Sequence, residues 1–183
     1  IVFDQGRVYG TPSYHMQALF AHHVGARVCP SELTVPIELG DLPAGGISVG
    51  TWETQAELKD IKVEAADRVL FTSDFSAGTA PWRLHGGAWE AADGVLRQTG
   101  DGDNVIASVG DASWGSEYTV SLKARKLGGN EGFLIGFQLQ GDMQHHWLNL
   151  GGWGNNQHGL EGISNAKRFR GRIETDRWYD IRI

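Results

Sequence analysis

Apolar and polar side chains take turns over residues 118–125. Tyr118, Val120, Leu122 and Ala124 alternate with Thr119, Ser121, Lys123 and Arg125. A period of two sends successive side chains to opposite faces, so the run predicts an antiparallel strand buried on one side and wet on the other. Phe133, Ile135, Phe137 and Leu139 repeat the pattern, and residues 56–64 set Leu58, Asp60 and Lys62 against Lys59, Ile61 and Val63. Shorter runs at 47–50, 69–71, 88–90, 95–99, 146–150 and 178–183 read as further strands, with Asp93-Gly94 as a tight turn. Many short strands joined by glycine-rich turns predict a mainly β protein, a sandwich or barrel of antiparallel strands.

The first 46 residues read differently. Residues 1–3, Ile-Val-Phe, suit a short buried strand. Residues 12–24 carry helical spacing, either Tyr14, Ala18 and Ala21 or Met16, Leu19, Phe20 and Val24. Thr11 suits the cap, Pro12 the first turn and Gly25 the stop. Residues 31–46 are punctuated by Pro and Gly and read as a linker. The expected division is therefore 1–30, 31–46 and 47–183. The chain opens without Met in what reads as a structured segment and stops within an alternating pattern, so a fragment of a longer chain is expected.

Composition narrows the function. With 183 residues the chain is long enough to bury a core. A net charge of -6 gives no basic footprint for nucleic acid or an anionic membrane. No apolar run nears the roughly 20 residues that span a bilayer. Cys29 is the only cysteine, so no internal disulfide forms, and no basic neighbour in sequence supports a nucleophilic role for it. The 26 glycines suit many turns. The seven tryptophans must fill a core or meet a ligand. Trp82, Trp89 and Trp114 fall at strand or turn positions that favour the core.

Several runs resemble one family. Ile1-Val2-Phe3-Asp4 with Gly10-Thr11-Pro12-Ser13-Tyr14-His15-Met16-Gln17-Ala18-Leu19-Phe20 resembles the last strand and helix of the (β/α)8 catalytic barrel of family 51 glycoside hydrolases, the α-L-arabinofuranosidases. Gly50-Thr51-Trp52-Glu53-Thr54-Gln55-Ala56-Glu57, Leu122-Lys123-Ala124-Arg125-Lys126, Glu131-Gly132-Phe133-Leu134-Ile135, Asn149-Leu150-Gly151-Gly152-Trp153-Gly154-Asn155 and Arg177-Trp178-Tyr179-Asp180 resemble a module on the C-terminal side of that barrel. The resemblance implies a concanavalin-A/laminin-G-like jelly roll, similar to the sugar-handling domains of the keto-disaccharide hydrolase group, continuing past Ile183. It also implies that the barrel's two catalytic glutamates lie outside this sequence. A retaining glycosidase needs such a pair roughly 5–5.5 Å apart, which one strand and one helix cannot supply.

The densest polar and aromatic stretch runs from Trp147 to His158, with Glu161 beyond it. A sugar presents apolar C–H faces and rings of hydroxyls. Flat aromatics and short side chains that donate and accept, with glycines that let the chain come close, match it. The candidate carbohydrate-binding residues are Trp52, Gln55, Trp147, Asn149, Trp153, Asn155, Asn156, His158 and Glu161. The resemblance places the Trp52 run beside the Gly-Gly-Trp segment. The competing reading makes the tryptophans packing residues and the asparagines holders of left-handed turns.

Asn130-Glu131 has the Asn-Glu form of an acid/base motif but sits in a turn between alternating strands, where a solvated or backbone-bonded carboxylate is expected. No Cys/His/Asp group has zinc spacing, and neighbouring His145 and His146 point to opposite faces of a strand. His22-His23 raises the same metal question without a further ligand nearby. Asp101-Gly102-Asp103-Asn104 is a fragment of a calcium loop without its bidentate glutamate, so a structural calcium is the one cofactor to consider.

The expectation is a non-catalytic module that tethers a secreted or periplasmic arabinofuranosidase to plant cell-wall polysaccharide or arabino-oligosaccharide. Its other partner is the remainder of the parent enzyme. One alternative is a structural module bracing the barrel or an oligomer interface. The other is hydrolysis within the jelly roll, for which Glu57, Glu131, His158 and Glu161 are the acids and histidine to inspect.

Overall fold

The alternating segments form strands that sort into antiparallel sheets. The computed structural model describes residues 2–4, 7–9, 43–141, 146–163 and 167–183. The chain divides into two compact units, Ile1–Glu38 and Leu39–Ile183. In the first, strand β1 (Val2–Asp4) pairs antiparallel with β2 (Arg7–Tyr9). A strand near residues 1–3 was expected; its hairpin partner was not. The helix expected over 12–24, His22, His23, Cys29 and most of the linker lie outside the described residues, as does His145.

The second unit holds two sheets. One contains β4 (Thr54–Ala65), β5 (Arg68–Ser73), β7 (Trp89–Ala92), β8 (Val95–Gln98), β10 (Thr119–Gly129) and β15 (Trp178–Arg182). Its order is β15-β10-β4-β8-β7. β8 pairs with the first half of β4 and β5 with the second. The other sheet contains β3 (Gly46–Thr51), β6 (Arg83–His85), β9 (Val105–Val109), β11 (Phe133–Leu139), β12 (His146–Gly151), β13 (Gln157–Glu161) and β14 (Arg168–Arg170). Its order is β14-β13-β12-β11-β3-β9-β6.

The apolar set of each sheet meets the other in a single core. Ile47, Val49, Ala107, Phe133 and Ile135 come from one sheet, and Leu58, Ile61, Val63, Leu96, Val120 and Leu122 from the other. This is a β-sandwich, in which burial of both apolar faces supplies most of the driving force. Phe71, Trp82, Trp114 and Tyr118 join in edge and tilted ring contacts with centroids 5.6–6.4 Å apart. Trp82 is buried, and Trp89 and Trp114 pack partly buried against the core.

β4 departs from strict alternation. Simple alternation would turn Leu58 away from Ile61 and Val63, yet all three are in the core. The register slips between Ser121 and Lys123 of the partner strand, and Asp60 takes a left-handed φ of 54°. This bulge inserts one residue and returns Ile61 to the buried side. Asp is among the residues that tolerate that backbone region best.

The wet face of the same sheet carries a ladder across five strands, Trp178, Arg125, Glu57, Arg97 and Glu90. Glu57 is only 3% exposed. It accepts from Arg97 Nε at 2.9 Å and Arg125 Nε at 3.0 Å. Burial alone would raise its carboxyl pKa, but the hydrogen bonds and charges of the two guanidinium groups outweigh this and hold it below the usual carboxylate value. The guanidinium of Arg125 and the ammonium of Lys59 flank the Trp178 ring, 5.0 and 4.5 Å from its centroid.

Candidate functional site

The cleft of interest lies on the face of the second sheet that points away from the core. Phe133 and Ile135 face inward, so Leu134 faces outward. Leu150 packs against the core, so Asn149 and Trp147 face outward as well. The pairing aligns Arg168, Gly159, Asn149 and Leu134 in a row across β14, β13, β12 and β11. Glu161 stands opposite Trp147 in the adjacent row. Trp52, Glu131, Leu134, Trp147, Asn149, Trp153 and Glu161 line a cleft of about 290 Å³ there.

Three turns build its rim, and hydrogen bonds tie them together. Trp52 and Glu53 form the β3–β4 turn, fastened from below by Gln98. That side chain is fully buried and donates to Thr51 Oγ1 at 2.8 Å, Thr54 O at 2.9 Å and Gly100 O at 3.0 Å. Glu53 N donates to Gly102 O at 3.1 Å, and Glu53 O accepts from Asn130 N at 2.8 Å. Glu131 N donates to Thr54 Oγ1 at 2.8 Å, and Glu131 Oε1 accepts from Gly154 N at 3.0 Å. Side-chain acceptors for backbone N–H groups of this kind satisfy the turn's polar groups and hold it in place.

The third turn, 151–156, is left-handed. Gly151 has φ 74° and ψ 33°, Trp153 φ 54° and ψ 53°, and Gly154 φ 68° and ψ 36°; Asn155 has φ 61°. Glycine enters this region freely, and asparagine more readily than most. A tryptophan there is unusual and must be held by its surroundings. Asn155 does part of that work, donating from Nδ2 to Ile173 O at 2.9 Å while Oδ1 accepts from Ile173 N at 2.7 Å. Asn156 Nδ2 donates to Gly154 O at 3.0 Å and Trp153 O at 3.3 Å. His158 Nδ1 accepts from Gly151 N at 2.9 Å, which requires a neutral imidazole, and burial lowers its pKa. The indole of Trp153 then lies over Gly159, where an added Cβ would stand 3.2 Å from its Cη2. Arg168 stacks on the ring with its guanidinium 3.9 Å from the centroid.

Of the sequence candidates, Trp52, Trp147, Asn149, Trp153 and Glu161 come together in the cleft. Trp52, Trp147 and Trp153 are each partly buried. Asn149 Nδ2 donates to Glu161 Oε1 at 2.8 Å, while its Oδ1 is buried without a hydrogen-bond partner among the described residues. The other four candidates stand elsewhere. Gln55 belongs to the other sheet and donates weakly to Gly100 O at 3.5 Å. Asn155 and Asn156 hold the turn through the bonds above. His158 pairs with Leu150 on the core-facing side of β13. Leu134 and Glu131 line the cleft without having been named as sugar contacts. Leu134 was visible only as the outward residue of an alternating strand. Glu131 was visible as a turn acid, and the structure does show its carboxylate bonded to backbone.

Among the acids weighed for catalysis, Glu57 lies in the opposite sheet's arginine ladder, whereas Glu131 and Glu161 share the cleft. Among the described residues no group of three or more His, Cys, Asp or Glu is placed to hold a metal ion. No helix among them is long and apolar enough to cross a membrane.

Fold and cleft together define an antiparallel β-sandwich with an aromatic, amide- and acid-lined cleft on the outer face of one sheet. Over 187 aligned residues the chain is 36% identical to the extracellular exo-α-L-arabinofuranosidase of Streptomyces chartreusis. The alignment covers 98% of this chain and 22% of that enzyme, so the chain is similar to one part of a larger carbohydrate-active protein. No family model matches the chain, and no solved structure matches it.

Proposed function

We propose that this chain is a carbohydrate-associated, non-catalytic part of an extracellular α-L-arabinofuranosidase, and that its cleft holds arabinose-containing polysaccharide. In this reading residues 1–30 are the end of a family 51 catalytic barrel, 31–46 a linker, and 47–183 a jelly-roll module of the concanavalin-A/laminin-G kind. The observation that carries it is the convergence of Trp52, Trp147 and Trp153 with Asn149, Glu131 and Glu161 in one outward-facing cleft. The indoles offer flat apolar faces for C–H groups, and the carboxylates and amide accept and donate to hydroxyls. The unpartnered Oδ1 of Asn149 is the kind of buried acceptor that a ligand site explains. Hydrogen-bonded rim turns arrive preorganised, which lowers the ordering cost of binding. A weak site of this sort acts by raising the effective concentration of substrate at a linked active site.

The test is calorimetry of the purified chain against arabinan, arabinoxylan and arabino-oligosaccharides, with Trp153→Ala and Trp52→Ala as variants. Binding is expected, with a loss of about tenfold for each variant, equivalent to about 1.4 kcal/mol, and an unchanged circular dichroism spectrum. Variants that bind as the parent chain does would remove the cleft from the proposal.

One observation favours a second reading. Glu131 and Glu161 line the same cleft, and a pair of carboxylates is what glycoside hydrolysis uses. Release of reducing sugar by this chain alone, abolished in both Glu131→Gln and Glu161→Gln, would replace tethering with catalysis. No release leaves the acids as hydroxyl acceptors.

A further inference from the structure

The segment Lys167-Arg168-Phe169-Arg170-Gly171-Arg172 stands out against a chain of net charge -6, because four of its six residues are cationic. It contains the whole of edge strand β14, and all four cations are exposed. None of the four is in an ion pair among the described residues, although acids are plentiful elsewhere on the surface. The pairing fixes which way two of them face. Arg168 stands opposite Gly159 and Arg170 opposite Gln157, so both share the face that bears Asn149 and the cleft. Arg168 is joined to the cleft directly, since its guanidinium stacks on the Trp153 ring that forms one wall. Glu161 lies on the same strand as Gly159 but two residues away from the Arg170 side, so the surface runs from acid to base across β13.

We propose that the cleft continues onto the β14 edge, and that this composite surface takes a polysaccharide bearing carboxylate groups, that is, uronic acid residues, rather than a wholly neutral one. The proposal rests on the carbohydrate-binding reading above and names the class of polymer. A neutral sugar occupies the tryptophan cleft, and a neighbouring uronate lies toward Arg168 and Arg170. A planar guanidinium meets a carboxylate through two parallel N–H···O bonds. Arg168 and Arg170 are both exposed, so a carboxylate can reach them from solvent. A uronate in the cleft itself would face Glu131 and Glu161, so the edge is where the charge is accommodated.

The experiment measures binding of the chain to polygalacturonate, to the same polymer with its carboxyl groups reduced, to neutral debranched arabinan, and to heparin and duplex DNA as generic polyanions. Arg170→Gln is the clean variant because it leaves the Arg168–Trp153 stack intact; Arg168→Gln,Arg170→Gln is the stronger one. Polygalacturonate is expected to bind about tenfold more tightly than its reduced form. The preference is expected to fall about threefold in the single variant and to vanish in the double one, with arabinan binding unchanged by Arg170→Gln. Raising salt from about 0.05 to about 0.5 M should erase the preference, because exposed charges are screened over a few ångströms at that strength. Equal binding of the two polymers, or a preference untouched by both variants, overturns the inference. So does equal affinity for heparin and DNA that ignores Trp153→Ala, since that marks a nonspecific polyanion patch. Arabinan binding without a uronate preference defeats this inference alone. A uronate preference without arabinan binding defeats the arabinan assignment of the parent reading and leaves its carbohydrate-binding cleft, on which this inference rests, standing.

Discussion

Asn155 offers a direct measurement of what holds the cleft's third turn. Its side chain makes two hydrogen bonds to Ile173, at 2.9 and 2.7 Å, and its own backbone is left-handed with φ 61°. Ile173 is 4% exposed and belongs to the core cluster, so the pair clasps the turn to the interior. Asn155→Ala removes both bonds and places a residue without a polar side chain in the left-handed region. Each bond contributes about 1 kcal/mol net, and the backbone conformation costs alanine about 1 kcal/mol, so the sum is about 3 kcal/mol. Asn155→Gly loses the same bonds but tolerates the backbone, so about 2 kcal/mol is expected. Urea unfolding followed by tryptophan fluorescence reads both, because all seven tryptophans lie between residues 52 and 178. With a slope of about 2 kcal/mol per molar the midpoints should fall by about 1.5 M and about 1 M. Both variants within about 0.5 kcal/mol of the parent chain would refute the clasp and return Asn155 to the candidate sugar contacts. Equal losses would refute the backbone part alone.

Three further outcomes follow from the same geometry. Glu57→Gln should destabilise the chain by about 1–3 kcal/mol at pH 7, since Arg97 and Arg125 each lose a charged acceptor while keeping partial access to water. The folded carboxyl titrates below its ordinary value of 4.5, so this contribution is complete above that pH. It fades as pH falls through the folded value, and the two unfolding curves should converge in acid. His158 titrates below its ordinary 6.5 when folded, so the unfolded chain binds the proton more readily and stability should decline as pH drops below about 6.5. His158→Ala should flatten that decline in denaturation measured between pH 7 and 5, at the cost of a lower plateau. Gly159→Val should displace the Trp153 indole that lies over it and weaken arabinan binding about tenfold, or 1.4 kcal/mol, by calorimetry; undiminished binding would show that the indole is not a contact.

Much of the fold was legible because one-sided burial writes itself as alternation. β10 follows its pattern closely, and the Asp93-Gly94 turn falls between β7 and β8 as expected; β11 is buried throughout and its register slips between Phe137 and Leu139, where Gln138 is left-handed. β9 was not read, because Val105–Val109 is buried on both faces and carries no period of two. β14 was missed for the opposite reason, since an exposed edge needs few apolar residues, and β13, an inner strand, because Gln157–Glu161 holds a single large apolar residue, Leu160. In the cleft, the residue types of the Trp147–Glu161 stretch gave the chemistry but not the facing. Trp147, Asn149 and Glu161 share one side of their strands. His158 lies one step out of phase with them, and Asn155 is spent on the backbone of Ile173. The competing reading of the asparagines as holders of left-handed turns describes Asn155 and Asn156, whose side chains are bonded within the 151–156 turn and to Ile173.

The bonded rim has a consequence for redesign. Because the Trp52, Glu131 and Gly154 turns are each other's hydrogen-bond partners, a loop transplanted singly from a relative would arrive without its counterparts. Specificity here should be exchangeable only as a block, with residues 52–54, 130–131 and 151–156 moved together.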